Sequence, residues 1–332
     1  MIIACRVLQH IAGWMVIRKL SIIVAASLAL MASVAPRPAL AEYPEEPVRF
    51  IVPWPPGNLE DALTRLIAEQ MQSETGTAAA VINKPGGGNG PYPGAAQVGR
   101  AKPDGYTIGS LVSGVPTVGA LVGIDGIKRD TFEPIGIFLT YPLVLAAGSN
   151  ARYANMAELA SYARRHNVVL GHFGYESVAT RASVIAGMEL GFEFGGDAYF
   201  DRLDCNTLAS GDVDVIITTL QEIRPCLDTV KVLASITEKR IEMLPGAATL
   251  GEQVKGIDLT LWNGLFVPKG TPSGVKKKIA AIARKAIMGA KAQKIGKDSG
   301  ALVYWQEAGE AQARVDTDYR KVKDMLRRMG DL

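Results

Sequence analysis

Phe50-Ile51-Val52-Pro53-Trp54-Pro55-Pro56-Gly57-Asn58-Leu59-Glu60-Asp61-Ala62-Leu63-Thr64-Arg65-Leu66-Ile67-Ala68-Glu69-Gln70-Met71 is the stretch that decides the fold. Phe50, Ile51 and Val52 form a short apolar run of the kind that makes a buried strand. Pro53, Pro55, Pro56 and Gly57 then exclude regular structure and predict a stiff loop. Leu63, Leu66, Ile67 and Met71 recur at the spacing of one apolar helix face, so a helix follows. Strand, loop and helix N-terminus in succession aim backbone N–H groups at a point above the end of a sheet. In α/β folds small polar ligands are held there. The same residues would also serve as a plain first βα turn of a large domain.

Outward from this unit the pattern repeats. Residues 78–82 read as a second strand, followed by Asn83-Lys84-Pro85-Gly86-Gly87-Gly88-Asn89-Gly90. The glycines do not fit G-x-G-x-x-G, and Pro91 and Pro93 disrupt the helix that would receive a pyrophosphate, so no nucleotide cofactor is expected. Residues 106–111 form a third strand that runs into small polar residues up to Thr117. Helices are expected over 156–166, 178–190 and 205–210, and strands over 168–170, 212–219 and 230–236. The tail, 273–332, reads as helical with a break near 296–300. Alternating short strands and helices predict an α/β protein with parallel sheets covered by helices. Two longer apolar stretches, 137–147 (interrupted by Pro142) and 259–268, read as strands crossing between domains. The second domain is then an insertion in the first: one lobe from 42–142 plus 260–332, the other from 143–259, with a cleft between them.

The chain has 332 residues, 48% of them hydrophobic, and a formal net charge of +3. That length buries a sizeable core, and without a basic cluster interleaved with aromatics no nucleic-acid partner is expected. Residues 1–41 read differently. Arg18 and Lys19 precede an apolar run over 20–31, and Ala39-Leu40-Ala41 is a small-x-small cleavage site, which together describe a secretory signal peptide. Met15 is read as the true start, and cleavage near Ala41 releases a periplasmic chain with no membrane insertion. Cys205 and Cys226 remain in that oxidising compartment, either as a disulfide or as two buried thiols. With only His166 and His172 beside them, a zinc site is not expected.

Three loops carry ligand-like features: 53–61, 110–117 and 171–177. An enzyme would need a nucleophile and a base. Ser113-Gly114 lacks the G-x-S-x-G elbow, and neither Ser113 nor Ser177 comes with an evident catalytic set; an exported hydrolase is kept only as a rival. His172 is open to two readings, ligand contact or structural hydrogen bonding.

Six motifs, in order, give the chain a family likeness. Tyr43-Pro44-x-x-Pro47-Val48-Arg49-x-Ile51-Val52-Pro53 opens the mature chain, followed by the loop from Pro53 to Asp61. Asn83-Lys84-Pro85-Gly86, Pro103-Asp104-Gly105-Tyr106-Thr107, Gly211-Asp212-Val213-Asp214 and Trp262-Asn263-Gly264-Leu265-Phe266-Val267-Pro268-Lys269-Gly270-Thr271-Pro272 complete the set. The chain resembles the tripartite tricarboxylate transporter solute receptors, the Bug-type periplasmic binding proteins, over essentially all of its mature length. The resemblance implies a two-lobed α/β periplasmic-binding-protein fold of type II that holds a small ligand, usually a carboxylate, in the cleft. It also implies hand-over to membrane permease subunits and no catalysis. Mapped onto this chain, it places the ligand against Trp54, Pro56, Gly57, Asn58 and Asp61 of the first loop and Ser113, Gly114 and Thr117 of the second. Phe173, Gly174, Tyr175 and Ser177 would complete the site from the other lobe. A sensor feeding a membrane signalling partner would use the same cleft.

Departures from the family pattern bear on specificity. Asn58 stands where a second glycine is usual and Glu60 where a small hydroxyl residue is usual, while Tyr175 and Glu176 replace Gly, Ser or Asn. No P-Y-[KR]-G segment is recognisable in residues 197–201. Glu60 beside Asp61 allows two readings. Either Glu60 faces solvent and Asp61 caps the helix, or the ligand is less anionic than a di- or tricarboxylate: a zwitterion, an amide or a neutral acid derivative.

Overall fold

The computed structural model describes residues 43–86, 90–175 and 177–332. The signal-peptide reading of 1–41, the glycines at 87–88 and Glu176 lie outside the described residues. Tyr43–Glu45 belong to a separate N-terminal unit, and the fold below is that of Glu46–Leu332.

The opening stretch folds as strand, loop and helix: β1 is Val48–Val52 and α1 is Leu59–Thr75. Phe50, Ile51 and Val52 are fully buried, as are Leu63, Ile67 and Met71 on the inner face of α1. Next come β2 (Ala79–Asn83), α2 (Tyr92–Gly99), β3 (Thr107–Val112), a π-helical turn (Val115–Gly119) and β4 (Phe132–Thr140). The second sheet is built from β5 (Leu143–Gly148), β6 (Val169–His172), β7 (Gly196–Tyr199), β8 (Val215–Thr219) and β9 (Val230–Ser235). Between these strands lie α3 (Met156–Ala163), α4 (Val178–Glu189), α5 (Cys205–Ser210), α6 (Leu220–Ile223) and a 3₁₀ turn (Arg224–Thr229). A short α7 (Leu250–Gln253) precedes the return through β10 (Trp262–Pro268), α8 (Ser273–Ile287), α9 (Ala290–Ser299), β11 (Leu302–Glu307) and α10 (Ala308–Met329).

The strands form a six-stranded sheet of order β11-β4-β10-β3-β1-β2 and a five-stranded sheet of order β7-β6-β8-β5-β9. Both are mixed, which corrects the expectation of parallel sheets. β10 runs antiparallel to both β3 and β4, and β5 antiparallel to both β8 and β9. The cause is the passage between the sheets: β4 ends at it and β10 begins at it, so these neighbours run in opposite directions, and β5 begins there while β8 ends against Leu143. The apolar stretch 137–147 is therefore two strands in two sheets, because Pro142 supplies no N–H to a ladder. The stretch 259–268 is a strand only from Trp262. The tail breaks at Gly300, within the expected 296–300, but a strand, β11, follows the break where helix was expected. It is a half-exposed edge with a register shift between Val303 and Gln306, so neither helical nor strand periodicity marks it.

The two passages between sheets lie side by side, with the Tyr141 N–H donating to the Leu261 carbonyl at 2.9 Å. α10 and the residues after it also reach across to α4 through the ion pairs Arg328–Glu189 and Arg181–Asp331. Cys205 at the start of α5 is bonded to Cys226 in the 3₁₀ turn, with Cα atoms 5.9 Å apart.

Candidate functional site

At the end of β1 the prolines carry the chain outward, and Gly57, at φ +95°, turns it back in a conformation that favours glycine. The turn aims the Gly57 N–H at Asp61 Oδ2, 2.9 Å away. Arg65 donates to both Asp61 oxygens at 3.0 Å, and Asn83 Nδ2 donates to Oδ1 at 2.9 Å and to the Trp54 carbonyl at 3.0 Å. Burial pushes the Asp61 carboxyl up, but the hydrogen bonds from Arg65, Gly57 and Asn83 together hold it below the usual range. Asp61 is thus a saturated carboxylate that fastens the loop, and it neither N-caps α1 nor lines a cavity. Asn58 holds the N-cap position, without a side-chain capping bond.

Glu60 does not face solvent. It is 3% exposed and forms part of the wall of an interlobe cavity. Tyr141 Oη lies 3.1 Å from Glu60 Oε2 and 3.3 Å from Asn263 Oδ1. Asn263 Nδ2 donates to Ser110 Oγ at 2.7 Å, Ser110 and Thr64 hydroxyls are 2.9 Å apart, and Thr64 donates to the Glu60 carbonyl at 2.5 Å. Desolvation pushes the Glu60 carboxyl up to about 7, against opposing hydrogen bonds from its own backbone, Tyr141 and Asn58, while the charge of Asp61 pushes it further up. A carboxyl raised in the folded state stabilises the fold below its unfolded value of 4.5, and this contribution is lost as pH rises through about 7. The unliganded protein is therefore expected to lose about 2–3 kcal/mol of unfolding free energy between roughly pH 5 and pH 8. Urea titrations across that range check it; Glu60→Gln should flatten the dependence.

The second loop leaves β3 with Val112 and Gly114 on the cavity wall. Ser113 Oγ is buried with no hydrogen-bond partner among the described residues, and Thr117 Oγ1 donates to the Ser113 carbonyl at 2.6 Å. Pro56, Gly57, Asp61, Ser113 and Thr117 are not part of the wall; Trp54, Asn58, Gly114, Phe173 and Ser177 are. Gly174 and Tyr175 line a neighbouring outer groove with His172, Asp197 and Tyr199. His172 Nδ1 accepts the Gly174 N–H at 2.8 Å, which leaves the proton on Nε2, 2.9 Å from Asp197 Oδ2. Both ring nitrogens are thus engaged, and the geometry fits hydrogen bonding that shapes the loop.

Sequence reading missed the rest of the wall. Tyr92 comes from α2, Tyr141 from the crossing, Arg202 from before α5, and Thr219, Gln221 and Glu222 from around α6. Only Tyr141, beside Pro142 in a strand-to-strand passage, carried a signal that could have flagged it. Trp54 and Phe173, one from each lobe, meet edge to face with centroids 6.2 Å apart. The water-occupiable space inside is about 90 Å³, several times the roughly 10–15 Å³ one water needs, which suits a small solute. Its wall is mainly apolar, and two helices point their N-termini into it: α1 through Asn58 and Leu59, and α4 through Ser177 and Val178. The α4 N-cap, Ser177, also lacks a side-chain capping bond. Such termini favour anions. Arg202 is the one cationic side chain among the described lining residues, and it is paired with Glu222 at 2.8 Å and Asp204 at 3.7 Å. No cluster of three or more metal-ligating side chains occurs among the described residues, and no helix there is long and apolar enough to cross a membrane.

Comparison with known proteins agrees with this geometry. The model of the tripartite tricarboxylate transporter family receptor matches residues 63–330. The UPF0065 protein in the TAR-I ttuE-ttuC' intergenic region of Agrobacterium vitis is 28% identical over 267 residues, 78% of this chain and 77% of that one. The solved periplasmic binding protein BugD is 28% identical with a TM-score of 0.76, covering 87% of this chain and 99% of its own. MatC from Rhodopseudomonas palustris, solved with bound malate, shares the fold at a TM-score of 0.75 and 23% identity, over 86% of this chain and all of its own (100%). The chain belongs to the tripartite tricarboxylate transporter family of receptors.

Proposed function

We propose that this protein is a periplasmic solute receptor that holds a small organic acid, or a zwitterion or amide derived from one, in the interlobe cavity. It would deliver that solute to the membrane permease subunits of a tripartite tricarboxylate-type transporter and perform no chemistry itself. The carrying observation is the cavity: apolar walls drawn from both lobes, with two helix N-termini entering it and its one lining cation already paired. The family and the malate-bound neighbour support a carboxylate as one end of the solute. In this reading the lobes divide at 142/143 and 259/260, the leader is removed near Ala41, and solute binding shifts the population toward a closed form. A sensor for a membrane signalling partner would have the same cavity, and adjacent permease genes would separate the two.

The test is thermal unfolding of the chain from Glu42 with mono-, di- and tricarboxylates, amino acids and acid amides. A solute at a hundredfold excess over Kd should add about 2.7 kcal/mol and raise the midpoint by several degrees. A panel without any shift would count against the reading, and ester hydrolysis lost in Ser113→Ala or Ser177→Ala would replace it with the hydrolase.

A further inference from the structure

Glu60 is a buried acid at a cavity suited to anions, and in its protonated form it gives every group around it a partner. Asn263 commits its Nδ2 to Ser110, so its Oδ1 faces Tyr141. The Tyr141 hydroxyl has a single proton and two acceptors within reach, Glu60 Oε2 at 3.1 Å and Asn263 Oδ1 at 3.3 Å. With Glu60 ionised, the Tyr141 proton serves only one of these two acceptors, and the carboxylate's other donors are its own backbone N–H and the Asn58 side chain. With Glu60 protonated, its O–H donates to Tyr141 and Tyr141 donates to Asn263, and every donor is used.

The charges facing Glu60 press the same way. Asp61 on the same helix is a carboxylate fixed by Arg65. Tyr141, from the crossing, is held neutral by burial and brings no charge to Glu60. Across the cavity stand Asp201, Glu222 and Arg202, whose guanidinium already serves Glu222 and Asp204. An arriving carboxylate finds no unpaired cation among the described lining side chains.

We propose that Glu60 is a specificity-determining acid that is neutral in the complex, so that a carboxylate solute binds together with one proton taken from the buffer onto Glu60. The receptor would thereby accept an acid by offering a neutral O–H where an ionised glutamate would repel it, and it would treat the corresponding amide indifferently to pH. The proposal rests on the receptor reading above.

The experiment titrates the chain from Glu42 calorimetrically with benzoate, isovalerate, adipate and their primary amides, from about pH 6 to about pH 9, in buffers of different ionisation enthalpy. For an acid that binds, Kd should rise with pH toward roughly tenfold per unit, the measured enthalpy should follow the buffer, and the amide should show neither effect. Glu60→Gln should bind the acid with a flat pH profile. Tyr141→Phe, which removes a hydrogen bond favouring the ionised form, should move the midpoint to higher pH. Acid binding with a buffer-independent enthalpy, and the same slope in Glu60→Gln, overturns the proposal. Binding of no compound at any pH counts against the receptor reading instead. In that case carbon NMR of the ligand-free Glu60 carboxyl decides: titration in the ordinary carboxylate range overturns the proposal and titration near neutrality upholds it.

Discussion

Replacing Asp61 with alanine is expected to lower the unfolding free energy by about 1–3 kcal/mol, the range for leaving partly buried donors without their acceptor. The side chain is only 3% exposed and accepts from Gly57, Arg65 and Asn83. Alanine takes an acceptor from all three; Arg65 keeps its bond to Asn83 Oδ1 and Gly57 is exposed, whereas the Asn83 amide is held in place by its second bond to the Trp54 carbonyl. The effect should reach function as well, because the same bonds hold Trp54 against the cavity. Solute affinity is expected to fall at least tenfold, although Asp61 touches no part of the cavity wall. Urea unfolding and solute titration of Asp61→Ala check both expectations, and a loss under about 1 kcal/mol would show the loop to be held by its prolines instead.

Loss of the disulfide between Cys205 and Cys226 should cost about 3 kcal/mol, the chain-entropy value for a loop of 21 residues. Neither element it joins has other strong anchorage: α5 and the 3₁₀ turn contain no fully buried residue. Asp201 and Arg202 lie just before the first of these elements, and Thr219, Gln221 and Glu222 just before the second. The bond therefore closes a ring of chain that carries Thr219, Gln221 and Glu222 of the cavity wall, with Asp201 and Arg202 just outside it. Cys205→Ser with Cys226→Ser should unfold at lower denaturant and bind solute more weakly, while six-stranded-sheet contacts stay intact. Unchanged affinity in the double variant would mean that the wall is held by the β8 ladder alone.

The sequence spoke clearly where local chemistry and tertiary role coincide. The prolines and Gly57 mark the first loop, and the fully buried Phe50–Val52 run marks its strand. The apolar stretches at the two passages between sheets also stood out, although Pro142 divides the first into two strands and the second is a strand only from Trp262. What stayed hidden depends on pairing over distance. Strand direction in these mixed sheets is set by which strand ends meet at the passage between the sheets, and no residue of β5 or β10 records it. At the site, Asp61 and Glu60 are chemically near-identical neighbours, yet one is saturated with donors and the other is desolvated beside Tyr141. Their distant partners lie 22 or more positions away, at Asn83 and Tyr141, beyond the local bonds to Gly57, Asn58 and Arg65. Gly174 and Tyr175 fell beside the cavity because His172 draws the Gly174 N–H toward its ring, a bond that no spacing rule announces.

The edge-to-face contact between Trp54 and Phe173 has an optical consequence. The sequence contains four tryptophans. Trp14 precedes Ala41, Trp262 is fully buried with its indole N–H on Asp318 at 2.6 Å, and Trp305 belongs to β11 of the first sheet. Trp54 alone among the described indoles borders the cavity, and it does so against a ring from the other lobe. Any parting of the lobes would exchange that ring for water and leave the other two described indoles in place. The protein thus carries an intrinsic fluorophore whose emission reads the state of its own cleft, without dye or label.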